Sequence, residues 1–79
     1  MNVKILGTGC TKCMNLEKKV KELISANNII ADVEKVTELQ DIMKYGILMT
    51  PGLVINEKVV SYGVIPKDSD ILKWLGEAQ

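Results

Sequence analysis

The chain has 79 residues, 47% of them hydrophobic, and ten lysines balance ten acidic side chains for a formal net charge of zero. That length suits one domain, expected over residues 1–79, near the lower limit for a core that folds unaided. The neutral balance gives no pull toward nucleic acid or an anionic membrane, and no apolar run approaches the roughly 18 residues of a membrane span.

Val3–Leu6 reads as a short buried strand, and Gly7 and Gly9 mark a sharp turn after it. From about Cys10 to Ala26 the apolar positions Cys13, Leu16, Val20, Leu23 and Ile24 recur at helical spacing. Asn27-Asn28 ends that helix, and Ile29–Lys35 is strand-like with Ala31 and Val33 on one face. Thr37-Glu-Leu-Gln40 fits a capping box. The short helix it opens is expected to turn Leu39, Ile42 and Met43 inward and to stop at Tyr45-Gly46.

After Thr50-Pro51, Gly52–Ile55 is a continuous apolar run suited to a central strand. Asn56-Glu57 is a tight-turn candidate, and Lys58–Tyr62 reads as the returning strand. Gly63 breaks that strand. Pro66 precedes a last helix starting near Asp68, made amphipathic by Ile71, Leu72, Leu75 and Ala78. The order is β-α-β-α-β-β-α. A parallel crossover followed by a hairpin gives an α/β fold with a four-stranded mixed sheet and helices on both faces.

Absences narrow the chemistry. The chain has no histidine and no arginine. A Cys–His nucleophile pair, a mixed His/Cys zinc site within one chain and guanidinium clamps on phosphate are therefore excluded. No GxxxxGKS/T loop cradles a nucleotide. The conspicuous reactive feature is the pair Cys10 and Cys13, in GTGCTKC.

Helix phase separates these two. Cys13 lies on the stripe with Leu16 and Val20 and is expected to face the core. Cys10 lies at the helix mouth among N–H groups with no partner inside the helix. A thiolate there feels the positive helix end, with Lys12 as a nearby cation; the dipole is worth about 0.3–2 kcal/mol depending on burial. Lowering a thiol from about 8.5 to about 7 makes it half thiolate at neutral pH. Cys10 is thus the expected attacker and Cys13 the resolving thiol.

Two other uses of the pair compete. A structural disulfide closing so short a loop removes only about 2 kcal/mol of unfolded-chain entropy, and the start MNVKIL has no secretory h-region. A cytoplasmic protein is expected, where permanent bridges are rare. Soft-metal binding is the stronger rival, because two thiolates suffice for Cu(I). Copper chaperones carry a CxxC after their first strand, commonly with a methionine two places before it. Here that place holds Thr8, and a capped helix follows the second strand. Met14, Met43 and Met49 are possible soft ligands but read as core filler.

Three segments together resemble the thioredoxin superfamily, and more closely the small thioredoxin-like redox-active disulfide proteins, near glutaredoxin in size. GTGCTKC matches the active-site turn, YGILMTPGLVINEKVV the cis-proline segment, and GVIPKDSDILKWL the Gly-x-x-Pro lead into the last helix. The resemblance implies that Cys10 forms a mixed disulfide which Cys13 resolves. It implies a cis Pro51 beside the disulfide, with the Thr50 backbone pairing with an extended substrate. It also implies a monomer that needs no organic cofactor and no metal. Its partners would be protein or small-molecule disulfides and dithiols and an upstream thiol reductase, with Lys12, Gly9 and Gly63 as modulating positions.

The chain departs from that pattern at three places. Thr11-Lys12 separates the cysteines, Gly9 replaces an aromatic, and Lys4 stands where thioredoxins bury a carboxylate. Different proton handling at Cys13 is expected.

Overall fold

In a computed structural model the described residues are 1–78. They form β1 (Asn2–Leu6), α1 (Thr11–Ala26), β2 (Asp32–Val36), α2 (Leu39–Met43), β3 (Gly52–Ile55), β4 (Lys58–Tyr62) and α3 (Asp68–Glu77). The sheet order is β2-β1-β3-β4. β1 and β2 are parallel, joined across α1; β1–β3 and β3–β4 are antiparallel. The α/β order and mixed sheet are those read from the sequence.

Strand alternation divides the core in two. Val3, Ile5, Leu53 and Ile55 point to one face, where Leu16, Val20 and Ile24 of α1 and Ile71 and Leu75 of α3 cover them. Leu6 and Val54 point to the other face and meet Ile42 of α2 and Ile47. β3 is buried along its whole length because it is central and covered on both sides. The β3–β4 hairpin turns through Asn56 and Glu57, both at positive φ (49° and 67°), as a two-residue turn between twisted strands requires.

Three local expectations are corrected. β2 begins at Asp32, not Ile29: its pairing starts at Asn2↔Asp32, and β1 supplies nothing further for earlier residues to pair with. The capping box at Thr37 and Gln40 does not form. Glu38 is the N-cap, makes no side-chain cap bond, and its carbonyl accepts the N–H groups of Asp41 and Ile42 at 3.0 Å. Leu39 and Met43 are exposed and only Ile42 of α2 is buried, because a five-residue helix lays a single turn on the sheet. Gly46 takes positive φ (77°) just past that helix, as expected of its stop.

Candidate active site

β1 delivers the chain to the site. Its last residue Leu6 pairs with Gly52, and the next N–H, of Gly7, donates to the Val36 carbonyl at 2.9 Å. The chain then leaves the sheet through Thr8 and Gly9, where Gly9 has φ 102°, a conformation that favours glycine. It turns into α1 at Cys10, which is the N-cap residue.

Cys10 and Cys13 form a disulfide with Cα atoms 5.1 Å apart. Their environments differ sharply. Cys10 is exposed, and its Sγ accepts the Cys13 N–H at 3.2 Å, doing the work usually done by a serine or aspartate at a helix start. No acidic side chain lies in the first turn of α1 to offset the positive helix end. Cys13 is only 5% exposed. Its side chain packs over Gly7, where any added β-carbon would overlap the sulfur.

Sheet register brings Pro51 to the same place. Continuing Leu6↔Gly52 by one residue sets Pro51 beside Gly7, and alternation from Leu53 gives both the α1 face of the sheet. Pro51 is buried, the Thr50–Pro51 bond is cis, and the Pro51 carbonyl accepts the Gly63 N–H at 2.8 Å. Among the described residues, no hydrogen bond outside the sheet engages the Thr50 N–H or carbonyl. Gly63, at φ 80°, packs against the Met49 side chain. Lys12 sits exposed in the first turn of α1.

The methionine expectation is overturned here. Met14 is 58% exposed and Met49 60%, and Met43 and Val64 are also exposed. Met14 follows the disulfide and Met49 precedes Thr50, so both flank the site instead of filling the core. Among the described residues no helix or strand shields them from solvent, which composition alone does not reveal.

Lys4 points away from the cysteines. It shares the α2 face with Leu6, and its Nζ donates to Glu57 Oε1 at 2.6 Å and to the Tyr45 hydroxyl at 3.0 Å. The hydrogen bond to Glu57, then that to Tyr45, raises the Lys4 pKa; the same lysine lowers that of Glu57. An open cleft of about 600 Å³ on that face, lined by Lys4, Asp41, Lys44, Tyr45 and Glu57 among others, includes neither cysteine.

Two charged residues near the site had no place in the sequence reading. Glu17, one helical turn beyond Cys13, and Lys35 of β2 line a small recess with Cys13. The i, i+4 spacing of Cys13 and Glu17 was a readable signal; the approach of Lys35 depends on β2 lying beside β1. Among the described residues no group of three or more His, Cys, Asp or Glu side chains is arranged to hold a metal.

Comparison with known proteins decides the family. The thioredoxin domain model matches residues 1–76. The chain belongs to the thioredoxin family. A thioredoxin of Methanothermobacter thermautotrophicus is 33% identical over 75 residues, covering 95% of this chain and 97% of its own. A thioredoxin of Methanocaldococcus jannaschii is 33% identical over 73 residues, covering 92% of this chain and 84% of its own. With the Cys10–Cys13 disulfide at the helix start, this thioredoxin-family chain is a thiol–disulfide oxidoreductase.

Proposed function

We propose that the chain reduces protein or small-molecule disulfides, with Cys10 as nucleophile and Cys13 as resolving thiol. The observation that carries this reading is the asymmetry of the pair. Cys10 is exposed at a helix start with its sulfur accepting an N–H, while Cys13 is buried over Gly7.

The Cys10 thiolate attacks one sulfur of the substrate disulfide; that bond breaks, and the departing sulfur leaves as a thiolate and takes a proton. Cys13 then loses its proton and attacks the Cys10 sulfur, forming the Cys10–Cys13 disulfide and releasing the second substrate thiol. Two electrons and two protons pass to the substrate. Neither step requires an organic cofactor or a metal. An upstream thiol reductase returns the disulfide to the dithiol, with the cytoplasm as the working compartment and the monomer as the working form.

In this reading the substrate strand runs along Thr50, whose backbone groups are available for pairing. Pro51 beside it offers no N–H to compete for sulfur. Gly63 supports Pro51 through its N–H, Gly9 leaves the approach to Cys10 open, and Lys12 adds positive charge. The exposed Met14, Met49 and Val64 suit apolar side chains flanking a substrate disulfide.

The test is trapping. Cys13→Ser, reduced and mixed with a peptide disulfide, is expected to accumulate a mixed disulfide at Cys10, seen as the added peptide mass. Cys10→Ser is expected to accumulate none. Accumulation only on Cys10→Ser would reverse the two roles, and exchange catalysed by neither the wild type nor the variants would remove the reading.

A further inference from the structure

Cys13 shares a recess of about 40 Å³ with Glu17 of α1, Lys35 of β2, Gly7 at the end of β1 and Thr37. That volume admits water, which needs roughly 10–15 Å³ and polar partners. The i, i+4 spacing sets Glu17 one turn along the same helix face as Cys13. The Glu17 side chain is only 16% exposed. Two lysines hold it: Lys21 Nζ lies 3.0 Å from Oε2 and Lys35 Nζ 3.6 Å from Oε1.

The charges around Cys13 are few. Among the described residues, α1 contributes Glu17 to the lining and β2 contributes Lys35, while Ile5 of β1 and Gly7 just after it carry no ionisable side chain. Lys4 of β1 serves the opposite face. The hydrogen bond from Lys21, aided by the charges of Lys21 and Lys35, lowers the Glu17 pKa, so its carboxylate stays ionised near neutrality. A second anion at Cys13 would share that small recess with the carboxylate, which disfavours it. Cys10 has the opposite surroundings, at the positive end of α1.

We propose that Glu17 is the positioning residue that assigns the thiol proton: its carboxylate keeps Cys13 the neutral thiol in the reduced protein and leaves the thiolate to Cys10, with Lys35 tempering the effect. The inference rests on the dithiol reading above and names the groups that divide the labour between its two sulfurs. When Cys13 attacks the mixed disulfide, its proton leaves through the recess to solvent. The released substrate sulfur takes a proton from solvent, and Glu17 stays ionised throughout.

The experiment is an NMR titration of the Cys13 β-carbon in the Cys10→Ser background, which removes coupling between the two thiols. Glu17→Gln is expected to lower the Cys13 midpoint by about one pH unit, the scale of a nearby like charge. Lys35→Gln is expected to raise it, because it removes a cation and leaves Glu17 less neutralised. Glu17→Asp is expected to keep most of the wild-type midpoint.

A purely structural role for Glu17 would not move the two substitutions in opposite directions. Unchanged midpoints, or shifts of the same sign, overturn the proposal, and Lys35→Gln alone tests the sign if Glu17→Gln fails to fold. The titration needs no catalysis. Exchange activity with unshifted midpoints therefore sinks this inference alone, whereas opposite shifts without any wild-type exchange sink the dithiol reading instead.

Discussion

Cys13 packs over Gly7 so closely that a β-carbon at Gly7 would stand 2.8 Å from the Cys13 β-carbon and overlap its sulfur. The residue just after β1 and the first turn of α1 thus meet through a missing side chain. Gly7 is buried and its N–H is tied to the Val36 carbonyl, so it has little room to withdraw. Gly7→Ala is expected to push Cys13 and the start of α1 outward. Overpacking of this kind costs about 1–3 kcal/mol. Urea denaturation of the reduced variant measures the loss, and disulfide exchange is expected to slow in parallel. A variant as stable and as fast as the wild type would show that α1 shifts freely at its start.

The difference in exposure between the two sulfurs gives a second prediction. On brief treatment of the fully reduced protein with iodoacetamide near neutral pH, Cys10 is expected to be alkylated well before Cys13. Peptide mapping by mass spectrometry reads the order directly. Prior modification of Cys13 would mean that the buried position seen in the disulfide state opens on reduction, and the roles of the two sulfurs would exchange.

Much of this site was legible because period and punctuation both pointed to it. The stripe Cys13, Leu16, Val20, Ile24 is the buried face of α1, and that phase alone separated an inward from an outward cysteine. The run Gly52–Ile55 is buried throughout, as a continuous apolar strand predicts. What failed depended on partners that local sequence does not contain. Met14, Met43 and Met49 are apolar enough for a core, yet all three are exposed. Thr37 and Gln40 have the spacing of a capping box, but Thr37 lines the recess beside Cys13 and the helix starts one residue later. Nor does the departure at Lys4 announce its partners, because strand alternation turns this lysine to the α2 face, where it meets Tyr45 and Glu57.

Metal binding tests the rival use of the same two sulfurs. One chain supplies two thiolates and no histidine, too few side-chain ligands for a closed zinc site. Reduced protein equilibrated with Zn²⁺ and passed through a desalting column is expected to retain much less than one metal per chain, by elemental analysis. With Cu(I) the expectation is weak retention alongside full exchange activity of the metal-free protein. Tight one-to-one Cu(I) retention by a protein that catalyses no exchange would move the assignment to a carrier.

The Lys4–Glu57–Tyr45 cluster predicts a pH-dependent stability independent of the redox site. Glu57 lies in the β3–β4 turn at positive φ, and Lys4 Nζ holds its carboxylate at 2.6 Å while the Tyr45 hydroxyl donates to the other oxygen at 3.2 Å. The folded pKa of Glu57 is lowered from 4.5, chiefly by the Lys4 hydrogen bond, so its contribution is present above that value and is lost as pH falls through the folded pKa. The folded pKa of Lys4 is raised from 10.5, chiefly by Glu57, so its contribution is complete below 10.5 and is lost as pH rises through the folded value. Both contributions therefore operate together between those two reference values. Lys4→Met keeps the aliphatic stem over the sheet and removes the charge. It is expected to be less stable than the wild type at neutral pH, with the difference shrinking as the pH falls below 4.5. Urea midpoints measured across the acid range follow that convergence. Disulfide exchange by the variant is expected to match the wild type, because Lys4 faces α2 and not the cysteines. A gap that stays constant into acid would mean that Lys4 stabilises through packing alone, and a fall in exchange rate would reveal a path from this cluster through the sheet to the disulfide.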